Sequence, residues 1–259
     1  MDKKHLLKNI GLSFVALFFL VGAYPSYLSL KVWKLDIPKV GDPIPITQYM
    51  RLRHEKAQLP LPRKGKWVGL FDAGTILPPA LLFAEDRYFY LHNGFDWEQI
   101  SAAISEWREE NKFRGASTIT QQLARNLFLS PEISLIRKID EAILTVALEL
   151  KFSKDQIFNF YINTVEWGTD AWGVEEAANY YFDIPPSSLT AEQSLFLVSL
   201  LASPRADIKP QLERMRSVFQ RVSILLPPNQ KDLARIKFDS FSGKIILRKP
   251  AQEALKVFQ

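Results

Sequence analysis

Residues 9–30 run for 22 positions without Asp, Glu, Lys, Arg or His, and nothing else in the 259-residue sequence restricts the fold so strongly. A helix needs about 20 mostly apolar residues to cross the hydrocarbon core of a bilayer, and residues 10–23 are almost wholly apolar. Lys3, Lys4 and Lys8 precede the stretch. By the positive-inside rule they keep the N-terminus in the cytoplasm and send the rest of the chain outward. Tyr24, Tyr27 and Trp33 are placed for the far interface. A cleaved signal peptide and a buried helix of a soluble protein are the competing readings. The lack of a clear A-x-A cleavage site favours an uncleaved anchor. No second long apolar segment follows, so a single span is expected.

Residues 35–66 hold Pro38, Pro43, Pro45, Pro60 and Pro62 among many charges and read as a connector, with a short helix near 47–56. From Pro78 onward the apolar residues recur at helical spacing. The pattern predicts helices over 79–90, 97–108, 118–129, 136–152, 154–163, 172–181, 190–201 and 212–226. In the second of these, Ile100, Ala103, Ile104 and Trp107 share a face. Ser117 is placed to cap the third, and Thr190 with Gln193 forms a capping-box signature. Only residues 237–248 look strand-like, so the fold class is mainly α. The expected organisation is a cytoplasmic stub and anchor over 1–34, the connector over 35–66, one globular domain over 67–227 and a tail over 228–259.

Composition narrows the function classes. Hydrophobic residues make up 47% and charged residues 24%, ample for a packed core. The sequence has no cysteine, which excludes disulfides and thiolate-held metals. The net charge of +5 suits an anionic partner such as a phosphate, a membrane surface or a nucleic acid, without choosing among them. An outward-facing domain makes nucleic acid moot.

Four patches interrupt the helical background. In the first, Glu85, Asp86 and Arg87 end an apolar helix and Gly94 stops it. A carboxylate against Phe83 and Phe89 is desolvated, which raises its pKa toward the range useful to a general base. In the second, Thr118, Gln122 and Arg125 fall at i, i+4 and i+7 on one helical stripe. Small residues just ahead of it leave the helix N-terminal amides open to an anion. In the third, Arg137 and Glu141 are spaced i, i+4, which also fits a surface ion pair. The fourth, residues 161–168, is an aromatic and polar run ending at Gly168. Taken singly, each patch fits an ordinary polar surface or helix end as well as a site.

In order and spacing the four resemble the peptidoglycan glycosyltransferases of glycosyltransferase family 51. Glu85, Asp86, Phe89, His92 and Gly94 fill that family's first motif. Gly115, Ser117, Thr118, Gln121, Gln122 and Asn126 fill the second, Arg137, Lys138 and Glu141 the third, and Tyr161, Asn163, Trp167 and Gly168 the fourth. Arg214 and Val218 are the best match to a fifth. The resemblance spans roughly residues 47–221. The 38 residues after it leave no room for a transpeptidase domain in this sequence, so the likeness is to the monofunctional biosynthetic transglycosylases. Arg125 stands where the family usually has Lys, Ala116 replaces a usual Gly, and Asp183 and Ile184 follow Phe182 where Gly-Lys is common.

The resemblance implies a lysozyme-like, two-lobed helical domain behind one N-terminal transmembrane helix. It implies polymerisation of lipid II onto a growing glycan strand, with inversion at the anomeric carbon and release of undecaprenyl pyrophosphate. Glu85 is then the base. Glu141 is the second carboxylate, orienting the acceptor or steadying charge at the reacting carbon. Arg125, Arg137 and Lys138 are expected at the pyrophosphate. Asp86, Phe89, His92, Ser117, Thr118, Gln121, Gln122, Asn126 and Asn163 are expected to complete the substrate site. Residues 95–113 are expected in a smaller, membrane-proximal lobe that dips into the headgroups. No cofactor is required, and a divalent cation (Mg or Mn) is at most an aid to pyrophosphate departure. The expected location is the bacterial inner membrane, single-pass, with the catalytic domain on the periplasmic side. Other cell-wall synthesis proteins are expected as partners, and no nucleic acid. The rival readings are a catalytically silent cell-wall scaffold and a lytic transglycosylase.

Overall fold

The computed structural model describes residues 22–201 apart from 64, 112–114 and 169–170. Among the described residues the fold is helical and contains no strand; isolated bridges join Pro43 to Lys66 and Glu166 to Trp172. The helices are α1 (Tyr24–Trp33), α2 (Gln48–Lys56), α3 (Leu77–Glu85), α4 (Trp97–Glu110), α5 (Ile119–Phe128), α6 (Leu135–Lys151), α7 (Lys154–Thr164), α8 (Val174–Phe182) and α9 (Ala191–Leu200), with short 3-10 turns at Leu70–Ala73, Phe89–Leu91 and Pro186–Ser188. The expected helix over 212–226, the strand-like tail, Arg214 and Val218 lie outside the described residues, as do residues 9–21 of the apolar stretch. Among the described residues no helix is long and apolar enough to cross a membrane.

The centre of the fold is α7. It buries Ile157, Phe158, Phe160, Tyr161, Ile162, Asn163 and Thr164 because α5, α6, α8 and the turn at Leu70–Ala73 all pack on it. Phe160 meets Trp67 edge-on at 5.1 Å and Phe152 at 5.3 Å. Helix α9 buries every residue from Ser194 to Leu200 and packs on α3. Side chains fix where the helices begin. Thr118 with Gln121, Ser153 with Gln156 and Thr190 with Gln193 form reciprocal capping boxes, each satisfying two amides the helix leaves open.

The segment expected as a connector packs into the same core. Met50 and His54 of α2 are buried, and Trp172 Nε1 donates to His54 Nε2 at 2.9 Å. Arg53 reaches Glu166 at 2.8 Å. The end of the apolar stretch does likewise. Helix α1 lies on α6, burying Leu28 and Val32, and Tyr24 donates to Asp140 at 2.8 Å. Lys151 donates to the carbonyls of Val32, Trp33 and Leu35 at 3.1, 2.8 and 2.5 Å, a cationic cap on the negative end of α1.

Two local expectations change. The helix expected over 79–90 stops at Glu85, because Asp86 leaves helical geometry at φ −156°. Its carboxylate is drawn into tertiary bonds that a continuing helix could not reach. The cap of α5 is Thr118, not Ser117; Ser117 Oγ instead accepts from Lys138 Nζ at 3.3 Å.

Candidate active site

Glu85 is the last residue of α3, where the chain breaks into a loop. It lines a polar pocket of about 370 Å³ with Arg87, Tyr88, Asp96, Gln99 and the segment Gly115, Ala116, Ser117 and Thr118. A second, apolar groove of about 450 Å³ adjoins it. Ile100, Ala103, Ile104 and Trp107 of α4 form one wall, and Gln121 and Lys138 stand opposite. Gly115, Ala116 and Ser117 line both. The segment Gly115–Ser117 therefore has a polar pocket at Glu85 on one side and an apolar groove along α4 on the other.

Hydrogen bonds run from each motif carboxylate to Ser117, which they share through its carbonyl and its Oγ. Gln122 Nε2 donates to Glu85 Oε2 at 3.2 Å and faces the Ser117 carbonyl at 3.5 Å. Lys138 Nζ bonds Ser117 Oγ and pairs with Glu141 Oε1, while Arg137 Nη1 donates to Glu141 Oε2 at 2.9 Å. The Glu141 side chain is 0% exposed; that of Lys138 is 45% exposed. A buried carboxylate is costly to desolvate and persists where cations and hydrogen bonds compensate it. Glu141 meets that condition with two cations and leaves one net positive charge, carried by Lys138 at the rim of the groove. Arg125 Nε and Arg137 Nε are buried without hydrogen-bond partners.

The fourth motif enters from α7. Tyr161 is fully buried, and its hydroxyl donates to Gln122 Oε1 at 2.9 Å. Burial first, and the Glu85 charge second, push this phenol well above its ordinary pKa against the opposing pull of Arg125. It stays a donor. Sequence reasoning quoted Tyr161 in the motif but gave it no role; its only signal was its place there.

Glu85, Ser117, Gln122, Arg137, Lys138 and Glu141 are thus brought together. The other expected site residues are largely engaged within the fold. Asp86 Oδ2 accepts from the Ile119 amide and Asp86 Oδ1 bonds His92 Nε2, both at 2.9 Å. The N-terminal amide of α5 expected to stand open to an anion is therefore taken by the protein's own carboxylate. Thr118 and Gln121 cap each other, and Thr118 Oγ1 also donates to the Gly94 carbonyl at 2.7 Å. Gly94 sits at φ +87°, and a Cβ there would come within 2.6 Å of Thr145 Cγ2. This close, left-handed bend is what only glycine permits. Phe89 packs against Tyr90 and Phe158, with the Lys154 ammonium 4.4 Å from its ring centroid. Asn163 is buried, exchanging bonds with the amide and carbonyl of Val68 at 2.8 and 2.9 Å. Asn126 is buried on α5.

Among the described residues no three His, Asp or Glu side chains converge as a metal site. The Gln122 amide donates to Glu85, and Arg137 and Lys138 pair with Glu141.

The family model described as transglycosylase matches residues 54–227. Several curated proteins named biosynthetic peptidoglycan transglycosylase are similar over much of the chain. One from Azoarcus sp. (strain BH72) is 37% identical over 210 residues, covering 78% of this chain and 87% of that protein. One from Dechloromonas aromatica (strain RCB) is 39% identical over 163 residues, covering 61% and 71%. One from Burkholderia vietnamiensis (strain G4 / LMG 22486) is 44% identical over 169 residues, covering 61% and 66%.

Proposed function

This chain belongs to the transglycosylase family and is a peptidoglycan glycosyltransferase, and from that premise we propose that it polymerises lipid II into glycan strands. The observation that supports the reading is the meeting of three motifs at Ser117: its carbonyl faces Gln122, which donates to Glu85, and its Oγ accepts from Lys138, which pairs with Glu141.

In the proposed reaction the Glu85 carboxylate takes the proton from the acceptor's sugar hydroxyl. The freed oxygen attacks the donor's anomeric carbon from the face opposite the leaving group. The C–O bond to undecaprenyl pyrophosphate breaks, and the configuration inverts. Pyrophosphate leaves as a stable anion, so no strong general acid is needed. Lys138, Arg137 and Arg125 supply positive charge for it, where charge-assisted bonds are strong. Glu141 acts through Arg137 and Lys138, holding both cations in place. The apolar face of α4 lies toward the lipid headgroups, and the chain is held in the inner membrane with this domain on the periplasmic side.

Incubation of the purified full-length protein with labelled lipid II tests the reading. A ladder of glycan products on a gel is expected. A protein that binds lipid II and makes no polymer is a scaffold, and the reading fails.

A further inference from the structure

The amide of Gln122 has two unlike sides. Its nitrogen faces two acceptors, Glu85 Oε2 at 3.2 Å and the Ser117 carbonyl at 3.5 Å, while its oxygen faces the Tyr161 hydroxyl at 2.9 Å. Turning the amide over would aim its oxygen at a carboxylate and a carbonyl together. The observed orientation leaves Oε1 in a partly buried place where it needs a donor, and Tyr161 is that donor. A side-chain amide is otherwise free to be assigned either way round, and its network decides.

We infer that Tyr161 is a positioning residue for the glycosyl transfer: its hydroxyl locks the Gln122 amide so that the NH₂ group always points at Glu85. This rests on the reading of Glu85 as the base. A hydrogen bond to the charged form of a carboxylate favours that form, so the lock keeps Glu85 ionised. The buried phenol suits the task because it does not ionise in the working range and so never turns from donor to acceptor. Other charges face the same carboxylate. Asp86 and Arg87 follow it in the chain, Tyr88 and Asp96 line its pocket, and Lys138 and Glu141 of α6 connect through Ser117, while Arg125 of α5 and Asp86 act on the Tyr161 phenol. Removing one phenolic oxygen from α7 leaves every one of these side chains in the protein.

The test is the pH–rate profile of lipid II polymerisation by the full-length protein. In Tyr161→Phe the ring still fills the core but Gln122 loses its anchor. The acidic limb of kcat should move to higher pH by about one unit, with activity partly recovered on the alkaline side. Gln122→Met removes the amide and should move the limb the same way. The double variant should shift it no further than either single change, because both remove one interaction. Tyr90→Phe, which deletes a phenol bonded to Asp155 instead, should leave the limb in place. An unmoved limb in Tyr161→Phe, or additive shifts in the double variant, overturns the inference. Should Tyr161→Phe fail to fold, Gln122→Met decides alone, and an unmoved limb there sinks it. Wild-type rates in Glu85→Gln sink the base assignment itself, whatever Tyr161→Phe does, so the two failures are distinguishable.

Discussion

Helices α7 and α4 stand at opposite extremes of the same fold. Seven of the 11 residues of α7 are buried, whereas none of the 14 residues of α4 is. Helix α4 is nonetheless the more amphipathic in sequence, with Ile100, Ala103, Ile104 and Trp107 on one face. Its exposure is therefore not that of a polar surface helix. Trp97 is 71% exposed, Trp107 55% and Ile104 45%, and this face forms the wall of the apolar groove. An apolar stripe that the protein's own core does not cover is a surface for something else. The two helices separate two duties. Helix α7 holds Gln122 through Tyr161 and the chain at Val68 through Asn163, and α4 leaves an apolar face exposed.

That contrast predicts which changes alter chemistry and which alter stability. The largest effect belongs to Glu85→Gln, which keeps size and hydrogen bonding but loses basicity. Polymerisation should fall by about a hundred- to ten-thousand-fold with an unchanged melting temperature. Loss of stability instead would make Glu85 part of the scaffold and erase the contrast. Next is Phe160→Ala on α7, which removes a ring packed between Trp67 and Phe152. It should cost about 3–5 kcal/mol in denaturant unfolding, and a cost near zero would mean that α7 is not the core it resembles. Glu141→Gln comes third. It weakens the hold on Arg137 and Lys138 and should slow turnover by about ten- to a hundredfold, or roughly 1.4–2.8 kcal/mol of barrier. A loss as large as that of Glu85→Gln would place Glu141 at the reacting carbon. The smallest change in stability is expected for Ile104→Ser combined with Trp107→Ser on α4, within about 0.5 kcal/mol. Sedimentation of the domain with anionic vesicles should nevertheless weaken. Unchanged vesicle binding would remove the lipid role from α4.

The same contrast shows how far the sequence could be read. Helices α5, α6, α7 and α9 were legible to within a residue or so at each end, because their caps and apolar periods are local. Thr190 and Gln193, three positions apart, announce the start of α9 without help from the rest of the chain. The break at Asp86 was not legible, since the amide that draws its carboxylate is 33 residues away. Nor was the packing of α1 on α6, where Tyr24 and Asp140 are 116 residues apart. A run of uncharged residues reads the same whether its end meets lipid or a neighbouring helix.

By itself the sequence determined the helical class, the motif carboxylates and the family, because periodicity and ordered motifs are properties of the chain read along its length. Only the tertiary structure decided which partners each motif side chain takes. Asp86, Thr118, Gln121 and Asn163 bond within the fold, and Gln122 and Lys138 bring Glu85 and Glu141 to the two sides of Ser117. Two of the three partners of Gln122 lie 37 residues before it and 39 after it. Which way its amide points is set by acceptors and donors that packing alone brings within 3.5 Å, and no local pattern encodes that choice.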